Sequence, residues 1–127
     1  EPTAETHCAG VVLRPAAFRA NAEDVAGLWD YTARAAPRYS EIRTPTVIIT
    51  GDADTVVLEE IHSKGLSRDI AGSELVWIAG LGHKPEYAAP EIAVMAVEKI
   101  AGNDRDLQAA ARAAEARFAS EGKGAGC

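Results

Sequence analysis

The sequence predicts an α/β fold, in which parallel strands of one sheet are joined by a crossover helix. Residues 46–50 (Thr-Val-Ile-Ile-Thr) and 74–79 (Glu-Leu-Val-Trp-Ile-Ala) have the nearly continuous apolar pattern of strands that are covered on both faces. Between them, residues 58–70 carry Ile61, Leu66 and Ile70 among polar residues, which is consistent with a helix. A strand, a helix and a strand in this order form a βαβ unit, whose two strands are parallel.

The residues before the first strand predict helices. Residues 15–36 are rich in alanine and carry large apolar side chains at mixed helical spacing, namely Phe18, Val25, Leu28 and Trp29. Asn21 is followed three residues later by Asp24, which predicts a helix N-cap at Asn21. We therefore expect one short helix and then a longer one that ends before Pro37, with residues 38–43 as a connector.

Glycine and proline mark the ends of the remaining elements. Gly51 ends the first strand, Gly72 follows the crossover helix, and the Gly80-Leu81-Gly82 sequence ends the second strand. Pro90 occupies the first position of a third helix, with Gly102 just past its end. Two strands, a crossover helix and a following helix therefore fall within residues 38–102.

The last helical segment is amphipathic. Residues 104–120 place apolar side chains on one face, at Leu107, Ala110, Ala111, Ala114 and Phe118. We expect residues 103–121 to pack on the body of the protein or on a partner, with the charged side chains in solvent. Residues 122–127 (Gly-Lys-Gly-Ala-Gly-Cys) are predicted to be a flexible tail.

Composition excludes several classes of protein. The chain has 127 residues, 47% of them hydrophobic, with a formal net charge of −6 and a pI near 5.0. An acidic chain with scattered basic residues lacks the positive surface that binds nucleic acid, and the sequence contains no apolar run long enough for a membrane helix. Cys8 and Cys127 are too few for a disulfide framework, and no signal peptide precedes them, so we expect a cytoplasmic protein.

The loops that follow the two strands carry side chains that are candidates for acid–base chemistry. Parallel neighbouring strands end at the same edge of a sheet, so the Asp52 to Asp54 loop and the loop ending at His83 are expected to meet there. A carboxylate would orient His83 and stabilise its protonated form, leaving the other ring nitrogen to act as a general base. Two carboxylates compete for this role, and we favour Asp54, because Asp52 directly follows Gly51 in the turn and is placed to bond local backbone amides.

The same residues resemble the C-terminal part of the α/β-hydrolase fold family. The similarity covers residues 38–102 and rests on residues 42–57, which contain Gly51-Asp52-Ala53-Asp54, on residues 70–75, and on residues 80–85, which contain Gly82-His83. In that family the Gly-Asp-x-Asp loop carries the triad acid and the Gly-His pair carries the base. The resemblance therefore implies Asp54 as the acid and His83 as the base. Residues 1–37 resemble, less specifically, the end of the helical cap that covers the pocket in many members.

One part of the family pattern is missing from the sequence. There is no G-x-S-x-G nucleophile elbow and no preceding oxyanion-hole strand. No serine follows a strand in a glycine-flanked turn; the serines are Ser40, Ser63, Ser67, Ser73 and Ser120. Cys8 beside His7 is a poor nucleophile pair, because adjacent side chains rarely face each other. The family order of nucleophile, acid and base then implies a nucleophile that lies N-terminal to Glu1, outside this chain.

The small size of the predicted sheet gives the same expectation. Two strands make a very small sheet, and an apolar strand left at an open edge invites pairing with another chain. Residues 10–13 are too short to supply a convincing third strand. We therefore expect the chain to fold against a complementary polypeptide or an N-terminal segment that carries the nucleophile.

The resemblance implies an esterase-like hydrolase that acts on a carboxylic ester or a related acyl substrate. An Asp nucleophile attacking an epoxide or a haloalkane is an alternative within the same fold, and a non-catalytic binding module that keeps the scaffold is an alternative from another class. No cofactor and no metal are implied, because the histidines and Cys8 lack metal-ligand spacing. Trp29 and Trp77 are most simply core residues, although Trp29 is also a candidate substrate-binding residue of the cap.

Overall fold

The computed structural model describes residues 14–121, which divide between two compact units, Glu1–Arg38 and Tyr39–Cys127. The described part is a mixed α/β structure with a two-stranded parallel sheet and five α-helices. In chain order the elements are α1 (Pro15–Ala35), a 3-10 helix (Ala36–Glu41), β1 (Val47–Gly51), α2 (Ser63–Asp69), β2 (Glu74–Ile78), α3 (Pro85–Ala88), α4 (Pro90–Ile100) and α5 (Leu107–Glu121). The predicted tail and both cysteines lie outside the described residues.

Helix α1 is continuous, so the predicted break and N-cap at Asn21 are wrong. Pro15 already provides the first helical position, where its fixed φ suits the helix and its missing N–H costs nothing. The Phe18 N–H bonds to the Arg14 carbonyl at 2.8 Å, which starts the hydrogen-bond ladder before Asn21 is reached. The helix ends before Pro37, as predicted. None of its residues is buried, and Trp29 is 79% exposed, so the interpretation of Trp29 as a core residue is also wrong.

The two predicted strands form the expected parallel pair. Val47 lies opposite Glu74, and the register continues without a bulge to Gly51 opposite Ile78. Both strands therefore end at the same level of the sheet. This alignment brings the loops that follow them to one edge.

The crossover helix is shorter than its sequence pattern predicts. Residues 58–62 form turns, and regular helix begins only at Ser63. The Lys64 N–H bonds to the Glu59 carbonyl at 2.9 Å, a spacing of five residues that is out of step with an α-helical ladder. Gly72, with φ of 80°, turns the chain back towards β2.

The core lies between β2 and the last two long helices. Val76 and Ile78 point from one face of β2, where they pack with Leu81, with Ile92 of α4 and with α5. The inward face of α5 is the predicted one, with Leu107, Ala111, Ala114 and Phe118 buried and Ala110 partly buried. Asp106 caps this helix, because its Oδ1 accepts the Ala109 N–H at 2.9 Å.

The opposite face of the sheet is less completely covered. Helix α2 contacts both strands, and Thr50 is buried. Trp77 alternates with Val76 and Ile78 and so points away from the core; it is 36% exposed, and its interpretation as a core residue is wrong. No helix within residues 14–121 is long and apolar enough to cross a membrane.

Candidate active site

The site is built from the two loops that leave the aligned ends of β1 and β2. Gly51 and Ile78 are the last paired residues of the sheet. The first loop continues through Asp52 to Asp54, and the second continues to His83 before α3 begins at Pro85. Both loops belong to the unit Tyr39–Cys127.

Gly51 allows the two loops to lie against each other. A Cβ at this position would overlap the Cβ and carbonyl oxygen of Leu81 and would lie 2.6 Å from the Ile78 carbonyl oxygen. Just beyond it, the Ala53 N–H donates to the Leu81 carbonyl at 3.1 Å. Only a residue without a side chain fits at Gly51 without moving the second loop.

Two carboxylates hold the turn after β2. Oδ1 of Asp52 accepts the Gly80 N–H at 2.7 Å, and Oε1 of Glu115 in α5 accepts the neighbouring Ala79 N–H at 2.9 Å. Gly80 has φ of 79°, a conformation that glycine adopts without strain. The turn is therefore attached both to the first loop and to α5.

Asp54 and His83 meet as the sequence predicts. Oδ2 of Asp54 lies 3.1 Å from Nδ1 of His83. Oδ1 of the same carboxylate accepts the backbone N–H groups of Val56 and Val57, both at 2.8 Å. The Asp54 side chain is 11% exposed and the His83 side chain 38% exposed, so the carboxylate lies beneath an imidazole that solvent and other molecules can reach.

The surroundings of Asp54 favour its ionised form. Burial raises the pKa of this carboxyl, but the hydrogen bonds from the Val57 N–H, His83 and the Val56 N–H, with the charge of His83, outweigh it. The net result is a pKa below the ordinary value for an aspartate. Asp54 is therefore a carboxylate over the whole neutral range.

This arrangement prepares the imidazole for proton transfer. An ionised Asp54 is an acceptor only, so a neutral His83 must carry its proton on Nδ1 to make the bond. The lone pair is then on Nε2, for which no hydrogen-bond partner lies within residues 14–121. Such a nitrogen acts as a general base towards a group placed against it.

As the sequence predicts, no serine within residues 14–121 lies in a glycine-flanked turn that follows a strand. Ser63 and Ser67 are in α2, and Ser73 precedes β2, at the end of that strand opposite to His83. Ser120 donates to the Arg117 carbonyl within α5. No serine of the described range donates a hydrogen bond to His83, and Cys8 lies outside that range.

Other residues singled out from the sequence play smaller parts. Lys84 and Glu86, next to His83, are exposed, and Lys84 lies over the ring of Tyr87 at 5.5 Å from its centroid. His62 is exposed at the start of α2. Trp29, the candidate substrate-binding residue, belongs to the other unit, Glu1–Arg38. No group of three metal-ligating side chains lies within residues 14–121.

The groups that fix Asp54 and the second loop have little signal in the sequence. The Val56 and Val57 amides were not predicted, although an Asp followed two and three residues later by free N–H groups is a common turn pattern. The long-range bond from Asp52 to Gly80 has no such local signal. Helix α3 was also missed, because its four residues are too few for a periodic pattern.

Comparisons of the chain with protein-family models, with curated proteins and with solved structures find no match. The site is therefore interpreted from its own geometry and from the motifs in the sequence.

Proposed function

We propose that the chain is the C-terminal part of an α/β-hydrolase with esterase-like activity, in which His83 is the general base and Asp54 the acid that orients it. The observation that carries the proposal is the 3.1 Å contact between Asp54 Oδ2 and His83 Nδ1. A surface histidine has no need of a carboxylate that is itself held by two backbone amides. The family resemblance of residues 38–102 gives the same two residues the same roles.

The proposed reaction passes through a covalent intermediate. Nε2 of His83 takes the proton of a serine hydroxyl as that oxygen attacks the carbonyl carbon of an ester. Asp54 stabilises the resulting imidazolium, which then gives its proton to the departing alkoxide. In the second half His83 takes a proton from a water molecule as its oxygen attacks the acyl carbon. The bond to the serine oxygen then breaks, His83 returns the proton to that oxygen, and the carboxylic acid is released. This cycle needs no cofactor or metal.

The nucleophile comes, in this proposal, from a complementary chain or an N-terminal segment. Within residues 14–121, β1 pairs with β2 alone, so its other edge is open to a further strand. The β1 side chains Val47, Ile48 and Ile49 are only partly buried. Helix α4 also exposes apolar side chains, at Val94, Val97 and Ile100. These surfaces support a larger sheet in which the nucleophile is supplied by the added polypeptide.

The remaining parts of the proposal concern the substrate and the compartment. Trp29, whose indole is exposed, is proposed as a residue that binds a small-molecule substrate, as the resemblance of residues 1–37 to a cap implies. The protein is proposed to act in the cytoplasm, without nucleic acid or a membrane as partner. The acidic composition supports the exclusion of nucleic acid as a partner.

The test replaces His83 in the protein purified in its native assembly, with any polypeptide joined to it. We expect His83→Ala to lower kcat on a chromogenic short-chain ester by roughly 10²–10⁴-fold, because a general base is lost. His62→Ala is the matched control, since His62 is also an exposed histidine and has no carboxylate partner in the described residues. Unchanged turnover in His83→Ala would overturn the proposal. Turnover of an epoxide or a haloalkane instead of the ester would show that the nucleophile is an Asp and not a serine.

A further inference from the structure

Asp52 is the carboxylate of the site that the acid–base pair leaves unused. Its backbone follows Gly51 directly, and its side chain is exposed, yet Oδ1 reaches across to the Gly80 N–H at 2.7 Å. A simple turn aspartate bonds backbone amides two or three residues away, as Asp54 does. Asp52 instead bonds a residue 28 positions away in the chain. Asp52 therefore connects the two loops and does not serve to stabilise the turn of its own loop.

Three consecutive residues of the first loop are each bonded to the second loop. The Asp52 side chain accepts from Gly80, the Ala53 N–H donates to Leu81, and the Asp54 side chain meets His83. The sheet ladder itself ends one step earlier, at Gly51 and Ile78. The hydrogen bond of the Asp52 side chain is thus the first one between the two loops beyond the last paired residues of the strands.

We propose that Asp52 is a positioning residue, whose bond to the Gly80 N–H holds the second loop so that His83 stays in register with Asp54. Gly80 is three residues before His83, and its φ of 79° turns the chain after it out of the strand direction. Strand β1 ends at Gly51, and the next residue, Asp52, supplies a side-chain oxygen to the Gly80 N–H. Without this link, the Ala53 to Leu81 bond alone would join the loops between the strand ends and the pair.

The effect on catalysis follows from the distance between the loops, and this consequence rests on the proposed function. Displacement of a reacting group by about 1 Å costs up to roughly 100-fold in rate. Asp52 does not touch the reacting atoms, so its loss should lower kcat and leave KM nearly unchanged. The effect on the Asp54 to His83 contact itself does not depend on any activity.

The test compares Asp52→Ala with Asp52→Asn in the native assembly. The asparagine keeps an amide oxygen that can accept the Gly80 N–H, whereas the alanine does not. The first measurement is the tautomer of His83 from its two ¹⁵N resonances at mildly alkaline pH. The second is the pKa of the Asp54 carboxyl from its ¹³C resonance. In Asp52→Ala we expect the Nδ1–H tautomer of His83 to be less populated than in wild type and the pKa of Asp54 to rise. In Asp52→Asn we expect the tautomer population and the pKa to stay close to their wild-type values.

Glu115→Ala is the matched control. It removes the carboxylate that accepts the neighbouring N–H, that of Ala79. The lost bond joins the second loop to α5 and not to the first loop. We expect it to lower the melting temperature as Asp52→Ala does, while the His83 tautomer and the Asp54 pKa stay as in wild type. Equal spectroscopic changes in the two alanine variants would overturn the proposal, because they would show general loosening. Failure of the asparagine to restore the wild-type signals would also overturn it.

These outcomes are separable from failure of the hydrolase proposal. If the spectroscopic pattern is as expected but no variant changes ester turnover, then Asp52 positions His83 and the proposed reaction is wrong. If the tautomer and the Asp54 pKa are unchanged in Asp52→Ala, the positioning role is wrong whatever the activity.

Discussion

Nδ1 of His83 and Oδ2 of Asp54 lie 3.1 Å apart, although 29 positions separate the two residues in the chain. The other oxygen of the carboxylate is held by the Val56 and Val57 amides. Because the backbone holds one oxygen, the other has a defined direction, and it aligns the imidazole of His83. The roles of the two loop carboxylates can therefore be separated by substitution.

The first prediction concerns which carboxylate orients His83. Asp54→Asn keeps the shape of the side chain but removes the charge that favours the Nδ1–H tautomer and stabilises the imidazolium. We expect kcat on the chromogenic ester to fall by about 10³–10⁴-fold in the native assembly. Asp52→Asn should stay close to wild type, because its amide oxygen still accepts the Gly80 N–H. A larger loss in Asp52→Asn than in Asp54→Asn would reverse the assignment.

The second prediction concerns the close approach at Gly51. Gly51→Ala forces its new methyl group against Leu81 and the Ile78 carbonyl, so we expect a loss of about 1–3 kcal/mol in the free energy of unfolding. Gly65→Ala in α2 is the control: the nearest atom to its added Cβ is Arg68 Nη2, at 3.9 Å. It should be neutral or stabilise by up to about 1 kcal/mol, as alanine does inside helices. Urea unfolding measures both, and equal stability of the two variants would contradict the packing of the loops.

The third prediction concerns the pH dependence of stability. Because folding lowers the pKa of Asp54, its carboxylate stabilises the folded state above the unfolded pKa of about 3.9, and that contribution is lost as the pH falls through the lower folded pKa. The difference in melting temperature between wild type and Asp54→Ala should therefore be constant near neutral pH and shrink below about pH 4. In His83→Ala the pKa of Asp54 should rise, since one of the groups that lower it is gone. A difference that grows towards acid pH would contradict this sign.

The fourth prediction concerns the open edge of β1. If a further strand pairs with that edge in the native assembly, all the amides of Val47–Gly51 are protected from hydrogen exchange there. In the isolated chain, the amides that do not face β2 should exchange rapidly, while those bonded to β2 stay protected. Rapid exchange of the same amides in both samples would show that nothing covers the edge.

Particular residues explain how far the sequence determines the fold and the candidate site. The β-branched run ending at Gly51 and the apolar run around Val76 and Ile78 predict both strands, because such runs are typical of buried strands. The βαβ order then predicts that Asp54 and His83 meet. Asn21 misleads because Pro15 had already begun the helix, which shows that a capping residue acts only where a helix starts.

The links that position the site are less visible in the sequence. The bond from Asp52 to Gly80 depends on the register of the two strands, which has no local signature. Trp77 has the size and apolarity of a core residue, but the period of the strand places it on the less covered face. Interactions set by tertiary register therefore need the structure.

The most direct test of the account is the rate at which a fluorophosphonate labels the protein in its native assembly. This reagent reacts with a serine whose hydroxyl is activated by a neighbouring base. We expect covalent labelling of one serine outside residues 1–127, at a rate that falls by roughly 100-fold or more in His83→Ala. No labelling of the wild-type assembly, or labelling at the same rate in His83→Ala, would contradict the proposal that His83 and Asp54 serve a serine nucleophile.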